Sequence, residues 1–226
     1  GLASISGGRP TQLILPSRQP GAAANTAARP AAKATAPPKP LPADTLVIYT
    51  DGSGPERHAT EPTAGWGFTV VAGGDGDMDT HGSEVHSRCG HVVTDTSDAR
   101  YIGAERPTNN TAELTAIACA LRHVCSDQSG RPILIRYDSL YAGRMATGAW
   151  RARKNHSLVA RVRSLWAQAH KHLQGRLWAS HVYGHTGHKW NDRADELARR
   201  GKGGAPTNGR DGVGNDGGGL HGQGDT

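Results

Sequence analysis

Three short apolar runs precede the first helical periodicity in this chain, and that order excludes most folds. TLVIYT (45–50) is a compact run rich in β-branched residues, with the length of a buried strand. GWGFTVVAG (65–73) and SEVHSRCGHVVT (83–94) read as a second and a third strand, with a bulge expected at Gly90. NNTAELTAIACALRHVC (109–125) then changes period. Leu114, Ile117, Leu121 and Val124 recur at spacings of three, four and three, which is one face of a helix. PILIRY (132–137) is a fourth strand and SLYAGRMATGAW (139–150) a helix. SLVARVRSLWAQAHKHL (157–173) is an amphipathic helix with Leu158, Val162, Leu165, Trp166, Ala169 and Leu173 on one face. RLWASHVYG (176–184) is the last strand, and NDRADELARRG (191–201) is the last helix, ended by Gly201. Three strands, helix, strand, helices, strand, helix is the order of an α/β fold with one mixed sheet.

The two ends of the chain differ from its middle. Gly21 to Pro42 is almost all Ala, Pro, Lys, Arg and Thr, and cannot bury apolar area. From Gly203 onward the chain is Gly-rich with Asn and Asp. The expected organisation is therefore a disordered linker over 1–43, a folded domain over 44–202 and a disordered tail over 203–226. Residues 1–43 lack acids, as transit peptides do, but the composition favours a plain linker. The first residue is Gly, so a fragment or processed piece is expected. No apolar run approaches the roughly 18 residues of a membrane span. Cys89, Cys119 and Cys125 form no CxxC pair, which argues against a disulfide framework. They favour a reducing intracellular setting, with nucleus or cytoplasm expected and an organelle left open.

Four carboxylates stand where elements meet. Asp51 closes the first strand in YTDGSG. Glu113 lies in the first turn of the helix that begins NNTAEL. Asp138 closes the fourth strand in RYDSLYAG, and Asp195 lies in the last helix. In an open α/β sheet, ligands gather at the carboxyl ends of strands. If the first and fourth strands are neighbours, Asp51 and Asp138 stand side by side. Each acid also has a plain structural reading. Glu113 can close a capping box with Asn110 as N-cap. Asp138 can cap the next helix. Asp195 can pair with Arg199, and Asp51 can be a turn residue before Gly52. Clustered carboxylates repel one another unless a cation compensates. Hard oxygen donors suit Mg²⁺ or Mn²⁺. His185, His188 and Asp195 in GHTGHKWNDRADELA (184–198) offer a zinc reading instead, with no cysteine near.

The formal net charge is +6, and the basic residues are unevenly spread. From Ser139 to Asn191 there is no Asp or Glu. The stretch holds Arg144, Arg151, Arg153, Lys154, Arg161, Arg163, Lys171, Arg176 and Lys189, with Trp150 and Trp166 interleaved. A solvated helix face mixes signs, so this bias points to a phosphate-binding surface.

In their order and spacing, YTDGSG, TNNTAELTA, YDSLYAG and GHTGHKWNDRADELA resemble type 1 ribonuclease H, over about Asp44 to Lys202. The resemblance implies a ribonuclease H-like five-stranded mixed sheet, first three strands antiparallel, flanked by helices. It implies an endonuclease that cuts the RNA strand of RNA–DNA hybrids with two Mg²⁺ ions, Mn²⁺ being a substitute. The ends left are 5′-phosphate and 3′-hydroxyl. On this resemblance Asp51, Glu113, Asp138 and Asp195 are the metal ligands, and His185 is the mobile proton-carrying histidine. Gly52, Ser53, Thr108, Asn109 and Asn110 contact the hybrid. His188 is left structural or solvent-facing, and Asn191 caps or orients the helix that presents Asp195.

The chain also departs from the family pattern. Only RARKNH (151–156) stands where many members carry a basic helix and loop, Leu140 replaces the Gln of some bacterial members, and DARYIGAERP (98–107) lengthens the approach to Glu113. Two other readings keep the fold. One is a retroelement polyprotein domain next to a reverse transcriptase, with the same chemistry. The other is a non-catalytic RNA–DNA hybrid-binding module, which loss of a carboxylate would favour. A monomer is expected for the domain alone.

Overall fold

The sheet grows outward from β1 (Leu46–Ser53), whose alternate residues face two separate cores. The computed structural model describes residues 36–74, 81–184 and 187–204. On one side β1 pairs antiparallel with β2 (Gly65–Ala72), and β2 with β3 (Ser83–His91). On the other, β1 pairs in parallel with β4 (Ile133–Tyr137), and β4 with β5 (Leu177–His181). The order β3-β2-β1-β4-β5 is the five-stranded mixed sheet that the element order implies, with its first three strands antiparallel.

The helices are α1 (Asn109–Ser126), α2 (Leu140–Ala146), α3 (His156–His172) and α4 (Lys189–Gly203). Leu46 and Ile48 of β1 face the larger core with Leu114, Ile117 and Leu121 of α1 and Leu158, Val162 and Trp166 of α3. Val47 and Tyr49 face the smaller one, with Leu134, Trp178 and, from α4, Trp190 and Ala194. Leu41, just ahead of β1, packs against this second core. Trp166 is 1% exposed, so it is a core residue and not part of a phosphate surface.

Three expectations are corrected by the backbone. The register shift between β2 and β3 falls at Val70/Val71 and not at Gly90. Gly90 is small for a different reason: a Cβ there would lie 2.9 Å from the Trp66 ring. Helix α4 does not end at Gly201. A Cβ at Gly201 would sit 2.5 Å from the Gly90 carbonyl oxygen, so a glycine inside α4 lets the helix lie directly on the sheet backbone. Finally, Asn191 is a buried residue of the first turn of α4, and His188 occupies the N-cap position. Residues 1–35 and 205–226, assigned to linker and tail, lie outside the described residues.

Candidate active site

Parallel pairing sets Thr50 opposite Tyr137, so the next residues, Asp51 and Asp138, emerge side by side. Asp51 still belongs to β1, opposite Gly67, and the strand runs two residues beyond it. Glu113 comes over from α1. One carboxylate oxygen from each of Asp51, Glu113 and Asp138 lies within 4.8 Å of the others.

The helix reaches this close because residue 52 is glycine. A Cβ on Gly52 would stand 2.2 Å from the Glu113 backbone nitrogen and 2.5 Å from the Ala112 carbonyl carbon. The Gly52 N–H donates to Asp51 Oδ1 at 2.7 Å. The start of α1 is fixed one turn earlier. Thr108 Oγ1 accepts from the Thr111 N–H at 3.2 Å, and Thr111 Oγ1 accepts from the Thr108 N–H at 2.9 Å. The N-cap is therefore Thr108 and not Asn110. Glu113 lies beyond the first turn and closes no capping box. Asp138 is not a cap either, because Ser139 Oγ accepts from the Ala142 N–H. Threonine and serine take the capping roles, and both acids go into the cluster.

Crowding shows in the acidities. Burial, and then the neighbouring charge of Asp138, push the Asp51 carboxyl up to about 7. Burial, then Asp51 and Asp138, push Glu113 well above the ordinary carboxylate range. Three acids held this way favour either a shared proton or a cation. Their all-oxygen donor set fits a hard divalent ion.

Asp195 is engaged differently. It pairs with Arg199 one helical turn on, the plain reading of its sequence context, while its charge still reaches Asp51. His185 and Thr186 lie outside the described residues. Gly184 abuts the cluster: a Cβ there would be 2.8 Å from Asp138 Oδ2. His188 is buried, its ring 5.0 Å from that of Tyr49 in the second core. With His188 buried against Tyr49, the zinc reading loses one of its three ligands.

Around the carboxylates, Asn109 Oδ1 accepts from the Gly54 N–H at 3.1 Å, tying α1 to the loop after Ser53. Asn110 borders a concavity of about 550 Å³ with Trp150, Arg151, Arg153 and Lys154. Trp150 is 48% exposed. Arg163 and Arg176 donate to the carbonyls of Met145 and Gly130, both at 2.9 Å, and so serve packing. The sequence reading missed Tyr183. Its exposed ring meets His181 edge-on at 5.1 Å, and His181 Nε2 lies 3.0 Å from the Asp138 carbonyl. An aromatic residue immediately before the Gly184 loop was the available signal.

Comparison with known proteins agrees with this architecture. The family model "RNase H" matches residues 43–202. A ribonuclease H of Aromatoleum aromaticum is 30% identical over 173 residues, covering 70% of this chain and 90% of that protein. A ribonuclease H of Thiobacillus denitrificans is 27% identical over 168 residues, covering 71% and 95% respectively. Among solved structures, a foamy viral protease-reverse transcriptase in complex with RNA/DNA hybrid is similar in fold. It superposes with a TM-score of 0.51 at 19% identity over 73% of this chain and 21% of that one.

Proposed function

The chain belongs to the RNase H family and is by that membership a ribonuclease H, and from this premise we propose that it hydrolyses the RNA strand of RNA–DNA hybrids by two-metal catalysis, leaving 5′-phosphate and 3′-hydroxyl ends. The observation that carries the reading is the parallel register that delivers Asp51 and Asp138 side by side, with Glu113 brought against them by the Gly52 contact.

Asp51, Glu113 and Asp138 would hold the ions, with Asp195 completing the set once its pairing to exposed Arg199 is shared or released. The chemistry that Mg²⁺, or Mn²⁺ in its place, supplies when held there is positive charge, which eases deprotonation of water and offsets charge on the leaving oxygen. His185 would carry protons, as a histidine can near neutral pH. Thr108, at the positive end of α1, helps to bind a DNA-strand phosphate. Asn109 is exposed, and with its oxygen taken by the Gly54 N–H its amide donors are left for the hybrid. Asn110 offers donors beside Trp150 and Arg151. Selectivity rests on the 2′-hydroxyl, which only the RNA strand carries in its shallow minor groove. Together with Gly52 and Ser53 at the end of β1, these residues read backbone shape, so cleavage is largely independent of base sequence.

The test is incubation of labelled RNA–DNA hybrid, duplex RNA and duplex DNA with the protein, with and without Mg²⁺. RNA should be cut in the hybrid alone and only with the metal. Asp51→Asn should cost on the order of a thousandfold in rate, the equivalent of about 4 kcal/mol, without loss of fold. Hybrid that is bound and left uncut by the unaltered protein would replace this reading with that of a non-catalytic binding module.

A further inference from the structure

Among the large apolar side chains of the described residues, Tyr183 is the most open to solvent, at 75%. It stands two residues beyond the end of β5 and immediately ahead of Gly184. Gly184 itself crowds the acid cluster, since a Cβ there would meet Asp138 Oδ2 at 2.8 Å. The Val182 N–H donates to the Tyr137 carbonyl at 2.9 Å, so the backbone keeps its extended course past the last ladder pair, Tyr137 with His181. Alternation then sets Tyr183 on the same side of the sheet as His181, and the two rings do meet there. Leu177 and Ala179, of the same row, face the larger core. Tyr183 is therefore on the side of the sheet that carries α1 and α2.

A single exposed apolar residue assigns nothing by itself. Tyr183 differs because its support is built. His181 Nε2 lies 3.0 Å from the Asp138 carbonyl oxygen, which can only accept, so this nitrogen carries the proton and donates. The imidazole also meets the Tyr137 ring at 6.1 Å and 65°. Held by that bond and that ring, it gives Tyr183 an edge-on seat at 5.1 Å and 86°. One histidine thus fixes the backbone of a cluster acid and the orientation of an open aromatic face beside it.

We propose that Tyr183 is a substrate-contact residue, whose open ring packs on a ribose of the RNA strand next to the phosphate that the acids receive. The inference rests on the hybrid-cleavage reading for its substrate. In an intact hybrid the bases are paired and stacked on one another, so a ring arriving from outside meets the sugar and phosphate of the backbone. An aromatic face carries partial negative charge, which repels phosphate and favours the carbon-bound hydrogens of a sugar. The strand that is cut is the one that lies at Asp138, so the nearest sugar is a ribose. Tyrosine has only two side-chain torsions, and with its edge already seated on His181 it loses little freedom when the sugar arrives. A contact of this kind reads no base, in keeping with cleavage that is largely independent of sequence.

Steady-state cleavage of hybrid gives the first readout. Tyr183→Ala should raise KM roughly tenfold through the lost ring contact and leave kcat within about twofold. Tyr183→Phe keeps the ring and should restore KM. The side chain is exposed, so neither variant should shift the melting temperature. Val85→Ala trims another exposed apolar side chain, on β3, and should leave KM as it is. The second readout needs no cleavage. The full chain carrying Asp51→Asn is bound to hybrid whose RNA strand has ¹³C-labelled ribose. Tyr183 ring protons, identified by their loss in Tyr183→Ala, should show nuclear Overhauser contacts to ribose protons. An unchanged KM in Tyr183→Ala, a Phe variant as weak as the Ala variant, or ring contacts to base or DNA-strand protons alone overturns the proposal. Hybrid left uncut by the unaltered chain would count against the cleavage reading instead, and the ring contacts would still decide whether Tyr183 meets ribose.

Discussion

At the scale of single residues, the site depends as much on one missing side chain as on the acids. Gly52 sets the distance between strand and helix, because the backbones themselves touch there. Gly52→Ala should force α1 away and separate Glu113 from Asp51 and Asp138. The expected result is a melting temperature lowered by the equivalent of about 1–3 kcal/mol, the usual cost of overpacking, together with loss of hybrid cleavage. Normal activity in that variant would show that the contact is dispensable. The acids should also be unequal. Asp195 stands outside the tight trio and shares its charge with Arg199. Asp195→Asn should therefore cost less activity than Asp51→Asn, measured as kcat at saturating Mg²⁺. The sequence made all four acids visible but could not rank them, because Arg199 was readable only as a possible partner.

At the scale of elements, α1 is capped by other residues than the Asn110 and Glu113 of the capping-box alternative. Its cap belongs to Thr108 and Thr111, which leaves Asn110 to the concavity and Glu113 to the cluster. Thr108→Ala should cost about 1 kcal/mol in chemical denaturation. Farther along, His123 of α1 stacks on His86 of β3 at 4.4 Å and 3°. Burial first, and then nearby positive charge, hold both below the ordinary imidazole value: Arg88 acts on both, and His86 acts on His123. Glu84 opposes the shift at His86 and Asp127 at His123. A depressed folded value means that the unfolded chain takes up protons first. Stability from this pair is complete above about pH 6.5 and is lost as pH falls through the lowered folded values. Thermal melts from pH 7.5 to 5 should fall more steeply for the native chain than for His86→Gln/His123→Gln. Parallel curves would remove the pair from the account. Periodicity revealed β3 and α1 as elements. Their facing imidazoles depend on a register shift at Val70/Val71 that no local signal marks.

At the scale of the whole molecule, order and period were enough for the sheet. Three strands before a helix leave few un-knotted arrangements, and the apolar faces matched them. What escaped was packing between distant segments. Trp166 looked like an interface aromatic and is core, and Leu41 looked like linker and packs on the second core. Arg163 and Arg176 looked like phosphate contacts and donate to carbonyls. The remaining basic face should still govern affinity. Hybrid binding should weaken with salt at a log–log slope of about −0.9 per phosphate. Reversing Arg151, Arg153 and Lys154 to Glu should flatten that slope by roughly three contacts, and an unchanged slope would move the binding face elsewhere. The pairing of β1 has one more consequence. It is bonded to β2 over Leu46–Ser53 and to β4 over Leu46–Thr50, in opposite senses. A pulling force applied through Asp44 runs along that strand, so it loads both ladders in shear together and cannot unzip them one bond at a time. Asp51 follows directly on the stretch that both ladders hold, so a chain tugged from its amino-terminal side should keep its site until the two ladders yield together.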